Sequence, residues 1–298
     1  GLAKERSYIY GVNEAGSRVN LKKIKVMKHN YTLAKERELK LVECLNNNLN
    51  DTKFNQIVNY INNELGYNFD SFSHSGSIQT EPGDILGHIG SEVIPLELKI
   101  DVVESHGGGG KDIFKMLNPE ILGYGEFENK VKAPQQRWGV INEVLGVNIS
   151  SYKEQDNLEK EIKSNKILVN GREGELTRIT TEVVHQYNDY LIPILKNTSE
   201  DKLLGFCNAI FLGYRKNIDK LINLKTNLIE IQVSNFNKNN TIVTHKTFTP
   251  KTQIKNITKK GKSLFIEFNK GYIKFPWTHG NKYQGSGKTL SCKYMFKY

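Results

Sequence analysis

Residues 81–100 read EPGDILGHIGSEVIPLELKI, and this stretch predicts a β-hairpin that carries acidic side chains on one face. The run 93–100 is apolar with strand propensity, and Gly90-Ser91 supplies a turn signal. If the chain reverses at this turn, antiparallel pairing sets Asp84 directly opposite Glu97. Directly opposed residues hold their Cβ atoms roughly 4.5–5.5 Å apart, so the hairpin brings two carboxylates together.

The second strand of this hairpin has two different faces. Lys99 follows Glu97 by two residues, and side chains two positions apart on a strand point the same way. Leu96, Leu98 and Ile100 alternate with them and therefore point to the opposite side. We expect an apolar core on that side and a polar patch on the other.

The polar patch predicts a metal site. Crowding two carboxylates such as Asp84 and Glu97 is costly unless a cation neutralises them. Hard oxygen ligands with open positions suit Mg²⁺ or Mn²⁺. Such an ion activates a water molecule and stabilises charge on a phosphoryl group, and Lys99 can neutralise part of the same charge.

The residues Gly83-Asp84 followed by Glu97-Leu98-Lys99 resemble the PD-(D/E)xK nuclease superfamily, which includes most type II restriction endonucleases. The chain departs from the family pattern in having Pro82-Gly83-Asp84 where Pro-Asp is usual. The resemblance implies a restriction-endonuclease-like fold of the α/β (α+β) class, with a mixed central sheet flanked by helices. It also implies that Asp84 and Glu97 bind the metal and that Lys99 is catalytic.

The segment before the hairpin predicts a helix that begins near Asn50 or Asp51 and ends near Gly66. Its apolar residues recur at three- and four-residue spacing, as expected for one buried face. In the family the helix before the catalytic hairpin often brings an acid to the metal site. The resemblance therefore assigns that role to Glu64, although a surface glutamate is an equally good reading of this position.

Two segments beyond the hairpin supply candidate phosphate ligands. The glycine run 107–110 is flanked by His106 and Lys111, and a loop without side chains to pack suits a segment that orders against a substrate. A helix is expected at 133–145, with proline near its start. The resemblance makes three residues of that helix candidates for reaching the scissile phosphate: Gln135, Gln136 and Arg137.

Two other short motifs compete with Glu97-Leu98-Lys99. Glu38-Leu39-Lys40 has the same E-x-K spacing but lies in a helical pattern. Glu230-Ile231-Gln232 lies in a predicted strand and forms a weaker, E-x-Q-like site. The hairpin context favours the first motif over both.

Positive charge is concentrated at the end of the chain. Residues 238–298 hold 13 lysines, no arginine and one acid, Glu267, a formal charge of +12 against +10 for the whole chain. Concentrated basic segments are typical of nucleic-acid-binding proteins, although a lysine-rich solvated surface has the same composition. Aromatic residues interleave with the lysines, and half of them are expected in a core. The candidate DNA contacts in this segment are Lys259, Lys260, Lys262, Lys282 and Lys288.

The 298 residues fit one large domain or two modest ones. Helices are expected at 32–49, 176–196 and 199–225, and short strands dominate after residue 235. The predicted organisation is an N-terminal arm at 1–30, a nuclease core at 31–170, a helical layer continuing the core at 171–234, and a basic β-rich nucleic-acid-binding part at 235–298.

The leading hypothesis is a Mg²⁺-dependent endonuclease of the type II restriction kind, acting on double-stranded DNA as a homodimer. A resolvase, a repair nuclease or an RNA-cleaving relative fits the same residues. The alternative class is a non-catalytic nucleic-acid-binding or virion structural protein. Three scattered cysteines without C-x-x-C spacing favour a reducing, cytoplasmic location, and no run of about 18 apolar residues suggests a membrane span.

Overall fold

The computed structural model describes the chain in twelve stretches of residues: 10–12, 18–47, 49–75, 82–101, 110–162, 170–214, 217–224, 226–236, 238–250, 253–279, 290–292 and 295–297. Within them, the α-helices are α1 (Leu21–Asn47), α2 (Asn55–Asn63), α3 (Tyr124–Lys130), α4 (Ala133–Leu145), α5 (Tyr152–Ile162), α6 (Glu173–Asn197), α7 (Glu200–Phe211) and α8 (Asp219–Ile222). A 3-10 helix spans Gly110–Met116.

The strands form three sheets, and their bounds are β1 (Tyr10–Val12), β2 (Arg18–Asn20), β3 (Ser71–His74), β4 (Ile85–Ile89), β5 (Glu92–Ile100), β6 (Leu228–Ser234), β7 (Ile242–Phe248), β8 (Ile254–Lys260), β9 (Ser263–Phe268), β10 (Tyr272–His279), β11 (Leu290–Cys292) and β12 (Met295–Lys297). Strands β1 and β2 pair only with each other within the described residues. The other two sheets form the body of the molecule.

The central sheet has the strand order β3-β4-β5-β6-β7. Strands β5 and β6 are parallel, and the other neighbouring pairs are antiparallel. A parallel pair needs a long crossover connection, and the chain between β5 and β6 contains helices α3 to α8. The mixed sheet with its helices confirms the predicted mixed α/β class.

One apolar core, which we call the sheet core, covers one face of the central sheet. Strands β5 and β6 contribute alternate residues to it, and helices α1 and α2 cover them. The alternation predicted for residues 96–100 is therefore observed, because Leu96 and Leu98 are both buried there. Truncating a fully buried residue such as Ile57 to alanine should cost about 2–5 kcal/mol. Because one face of β5 packs into the sheet core, the polar residues of this strand lie on the opposite face.

A second apolar core, which we call the helical core, lies among the helices of the crossover and the C-terminal sheet. It also contains Leu228 and Phe248, at the ends of β6 and β7 that pair with each other. Five of the aromatic residues of the basic segment are buried: Phe248, Phe265, Phe268, Phe275 and Trp277. In the described part of that segment, more than the expected half of the aromatic residues therefore serve in packing.

Several predicted boundaries differ from the structure. Helix α1 begins at Leu21 instead of residue 32. The helix expected at 199–225 is two helices, because α7 ends at Phe211 and Gly213 takes the left-handed conformation (φ +65°) that often follows a helix. Strand β7 lies within the predicted basic part, yet it pairs with β6 in the central sheet. None of the helices in the described part of the chain is long and apolar enough to cross a membrane.

Candidate active site

The hairpin has the register that the sequence predicts. The pairs run from Ile89 with Glu92 to Ile85 with Leu96, so the reversal lies at Gly90-Ser91. One further step along this register places Asp84 opposite Glu97. The Asp84 N–H donates to the Leu96 carbonyl at 2.9 Å.

The side chain of Asp84 turns toward β5, because its Oδ2 accepts a hydrogen bond from the Leu98 N–H at 2.8 Å. This bond ties the carboxylate to the strand that carries Glu97 and Lys99. The Lys99 Nζ in turn donates to Glu97 Oε1 at 3.0 Å. As predicted, Lys99 and Glu97 share one face, and the Glu97 side chain is almost fully buried at 5% exposure.

The glycine before Asp84, Gly83, has a structural role. It has φ +80°, a conformation that favours glycine. A Cβ at this position would lie 3.0 Å from Pro95 Cβ and 3.1 Å from the Leu96 carbonyl oxygen. The glycine therefore lets the chain approach β5 closely just before Asp84. Its N–H donates to the Leu212 carbonyl at 3.3 Å, which ties this turn to the residue that follows α7.

Strand β6 places the rival motif beside the first one. In the parallel register, Glu230 pairs with Glu97 and Gln232 pairs with Lys99. The Gln232 Nε2 donates to Glu230 Oε1 at 3.0 Å, as Lys99 does to Glu97. Glu230 is 3% exposed. The E-x-K and E-x-Q triplets are therefore two halves of one polar patch instead of competing sites.

The helical acid at this patch comes from α1 and not from α2. Glu38 lies three residues before the buried Leu41, and its Oε2 is 2.7 Å from His74 Nε2 at the end of β3. Burial and, to a smaller extent, the negative charge of Glu97 together raise the pKa of Glu38 to about 7. Glu64, which the resemblance selects, is exposed at the C-cap of α2.

Sequence reasoning misses Glu38 because Glu38-Leu39-Lys40 enters it only as a competing E-x-K motif. The available signal is helical spacing: positions 38, 41 and 45 share one face, and Leu41 and Leu45 are apolar. An acid at the edge of that apolar face can reach the end of the sheet on which the helix packs. No such spacing points Glu64 at the hairpin.

The patch carries more negative than positive charge. Burial and, to a smaller extent, the negative charge of Glu38 together raise the pKa of Asp84 to about 7. Burial alone would lower the pKa of Lys99, but Glu97 and the other carboxylates outweigh it, so the pKa of Lys99 is raised. Lys99 therefore stays charged at neutral pH.

The oxygen-rich donor set fits Mg²⁺ or Mn²⁺. Within the described part of the chain, no three His, Cys, Asp or Glu side chains converge as a ready-made metal cage. Mg²⁺ does not require one, because it usually keeps several waters and takes one or two carboxylates together with substrate phosphate. Asp84 and Glu97 supply that number, and the surplus negative charge around them favours a cation.

The candidates on α4 do not belong to this patch. Arg137 is buried (1% exposed) and forms an ion pair with Glu128 in the helical core, so it is not available to a phosphate. The expectation that Arg137 reaches the scissile phosphate was wrong, because its guanidinium neutralises a buried carboxylate. Gln135 and Gln136 are exposed on the same helix, which packs against α6.

The predicted lysine contacts are exposed where the structure describes them. Lys259 and Lys260 end strand β8, and Lys262 lies in the turn to β9. Lys259 Nζ is 2.6 Å from Asp189 Oδ1, and Lys260 Nζ is 3.4 Å from Glu267 Oε1, so two of them have acidic partners. The remaining candidates lie outside the described residues: His106, the side chain of Lys111, Lys282 and Lys288.

Comparisons of the chain with protein-family models, with curated proteins and with solved structures found no match.

Proposed function

We propose that this protein is a metal-dependent nuclease that hydrolyses phosphodiester bonds, with DNA as its substrate. The observation that carries the proposal is the placement of Asp84 opposite Glu97 in the hairpin, with Lys99 bonded to Glu97 on the same face. This is the arrangement on which the resemblance to the PD-(D/E)xK nucleases depends. The mixed central sheet agrees with the fold expected for such an enzyme.

Asp84 and Glu97 would hold the metal ion. A bound Mg²⁺ or Mn²⁺ supplies a water of lowered pKa and neutralises negative charge on the phosphoryl oxygens. The Leu98 N–H fixes one oxygen of Asp84 and leaves the other for binding. Glu38, from α1, adds negative charge that strengthens the attraction for a divalent cation.

Lys99 would stabilise the transition state. Its ammonium group remains charged because the surrounding carboxylates raise its pKa. Phosphodiester hydrolysis builds negative charge on the non-bridging oxygens, and a fixed cation at that point stabilises the transition state more than the ground state. The bond to Glu97 Oε1 holds Nζ beside a carboxylate that would bind the metal. Lys99 would thus stabilise charge on the phosphate, while the carboxylates would bind the metal ion.

Double-stranded DNA is the proposed substrate because of the C-terminal charge. The chain from residue 238 carries +12, and Lys255, Lys262 and Lys270 are among its exposed lysines. Lysine binds phosphate as a flexible point charge and does not read guanine in the bidentate manner of arginine. A restriction-type enzyme acting as a homodimer in the cytoplasm is the finer form of this proposal.

The test is nicking of supercoiled plasmid by the purified protein, with Mg²⁺, Mn²⁺ or excess EDTA. We expect conversion to nicked and linear forms only with the metals. Glu97→Gln should lower the rate at least about 100-fold. Glu64→Gln, which changes an exposed glutamate at the C-cap of α2, is the matched control and should behave as wild type. Equal rates for the Glu97→Gln variant and the wild type would contradict the proposal.

A further inference from the structure

The polar patch extends across four strands of the central sheet. Asp84, directly before β4, is opposite Glu97 on β5, Glu97 pairs with Glu230 on β6, and Glu230 pairs with Lys246 on β7. These four residues form one row. Behind it lies a second row in which Lys99 pairs with Gln232.

We propose that Glu230 is a third ligand of the catalytic metal ion, so that the ion lies over the β5–β6 pair and not over the hairpin alone. The proposal rests on the proposed function. It assigns to Gln232 the role of a positioning residue, because its Nε2 bonds Glu230 Oε1 at 3.0 Å. The E-x-Q triplet would then complete the E-x-K triplet.

Geometry supports this assignment. Neighbouring strands lie roughly 4.8 Å apart, and paired residues of adjacent strands point to the same face. Glu97 and Glu230 are therefore side by side, on the face opposite to Leu98 and Ile231, which both belong to the sheet core. As they stand, no three His, Cys, Asp or Glu side chains converge in the described part of the chain, so Glu230 would reach an ion bound by Glu97 through a change of side-chain rotamer.

Burial supports it as well. Glu97 and Glu230 are 5% and 3% exposed, and two adjacent buried carboxylates repel each other unless a cation lies between them. Lys99 contacts Glu97, and Lys246 is directly opposite Glu230. The row and Lys99 together hold three acids, Asp84, Glu97 and Glu230, and two lysines, so the set has a net negative charge for a divalent ion once Asp84 is deprotonated.

A simpler role for Glu230 would be an ion pair with Lys246 that stabilises the sheet. The two roles make different predictions for metal affinity. If Glu230 acted only through its charge, removing both charges of the Glu230–Lys246 pair would restore the wild-type electrostatic balance. If Glu230 is a ligand, the loss of its carboxylate weakens metal binding whether or not Lys246 is also replaced.

The experiment is calorimetric titration of the full chain with Mn²⁺ in the absence of nucleic acid. Glu230→Gln should weaken Mn²⁺ binding at least about tenfold, and the double variant Glu230→Gln/Lys246→Met should remain about as weak. Gln232→Leu should weaken Mn²⁺ binding by a smaller factor, a few-fold. Wild-type affinity in the double variant would overturn the proposal, as would an unchanged affinity in Glu230→Gln.

Two controls keep the result interpretable. Thermal melting in EDTA establishes that each variant folds, and Glu230→Met, which keeps the volume of the side chain, replaces Glu230→Gln if the latter does not. Because the titration contains no nucleic acid, it separates this inference from the proposed function. Plasmid cleavage by wild type with unchanged Mn²⁺ affinity in Glu230→Gln would refute Glu230 alone. Weakened Mn²⁺ binding in a protein that cuts no nucleic acid would refute the nuclease function alone.

Discussion

Glu97 on β5 and Glu230 on β6 are directly paired residues of two parallel strands, and both are almost completely buried. A long crossover that contains helices α3 to α8 separates them, so the pairing is a product of the fold and not of the local sequence. Each carboxylate accepts a bond from the residue two positions further on, Lys99 or Gln232. The polar patch is therefore built by two separate parts of the chain.

The stability of the metal-free protein should fall as pH rises from about 4 to about 7. The pKa values of Asp84 and Glu38 are raised to about 7, above those of the unfolded chain, so the folded state binds more protons in this interval. Their stabilising contribution is complete below about pH 4 and is lost as pH passes about 7. Urea unfolding in EDTA should show a loss on the order of a few kcal/mol.

The same measurement on Asp84→Asn provides the control. Asparagine does not titrate, so the pH dependence of stability between about 4 and 7 should become shallower in this variant. In the wild type, Mg²⁺ should stabilise the protein more at about pH 8 than at about pH 6. An identical pH profile in Asp84→Asn would show that this carboxyl is not the group that titrates.

Gly83→Ala should abolish cleavage and destabilise the protein by about 1–3 kcal/mol, because its Cβ would meet Pro95 and the Leu96 carbonyl. Gly66→Ala is the matched control: Gly66 has nearly the same φ, +75°, but a Cβ added there would have no atom within 4 Å. Both variants bear the cost of a left-handed alanine, and only Gly83→Ala should move Asp84. Equal cleavage by the two variants would show that the close approach at Gly83 is dispensable.

Arg137→Met should destabilise the protein by about 3–5 kcal/mol, because it leaves the buried carboxylate of Glu128 without its cation. Specific activity per folded molecule should be unchanged. The double variant Arg137→Met/Glu128→Leu should recover most of the loss, as measured by urea unfolding. Loss of DNA affinity in a fully folded Arg137→Met protein would instead restore this arginine to the DNA interface.

DNA binding should depend steeply on salt, with a slope of log K against log salt on the order of −5, since each neutralised phosphate contributes about −0.9. Removing the basic segment is not a usable test, because β7 belongs to the central sheet. The triple variant of three exposed lysines, Lys255, Lys262 and Lys270, to glutamine should reduce the slope by about 2–3. A triple variant elsewhere, at Lys53, Lys130 and Lys202, should leave it unchanged. Equal slopes would mean that the C-terminal charge is only solvated surface.

The sequence was sufficient for the hairpin because its determinants are local. The Gly90-Ser91 turn and the alternation along 93–100 fix the register, and the register alone places Asp84 opposite Glu97. It was insufficient for Glu38, whose approach depends on where α1 packs. It was also insufficient for Arg137, because an exposed helical arginine and a buried, paired one look alike in sequence.

The pairing of β5 with β6 could not be predicted for a different reason. Parallel strands joined by a long crossover are chosen by the packing of everything between them. The strand at 228–233 was expected, and so was its E-x-Q triplet. The sequence does not show which strand pairs with it. That pairing with β5 makes the rival motif part of the same patch.

The most direct test of the central claim is Lys99→Ala, assayed for DNA cleavage and DNA affinity on one preparation. Lys40→Ala, from the helical triplet Glu38-Leu39-Lys40, is the matched control. If Lys99 stabilises the transition state, cleavage in Mg²⁺ should fall about 10²–10³-fold while affinity stays within about threefold of wild type, and Lys40→Ala should retain both. Near wild-type cleavage by Lys99→Ala would contradict the account.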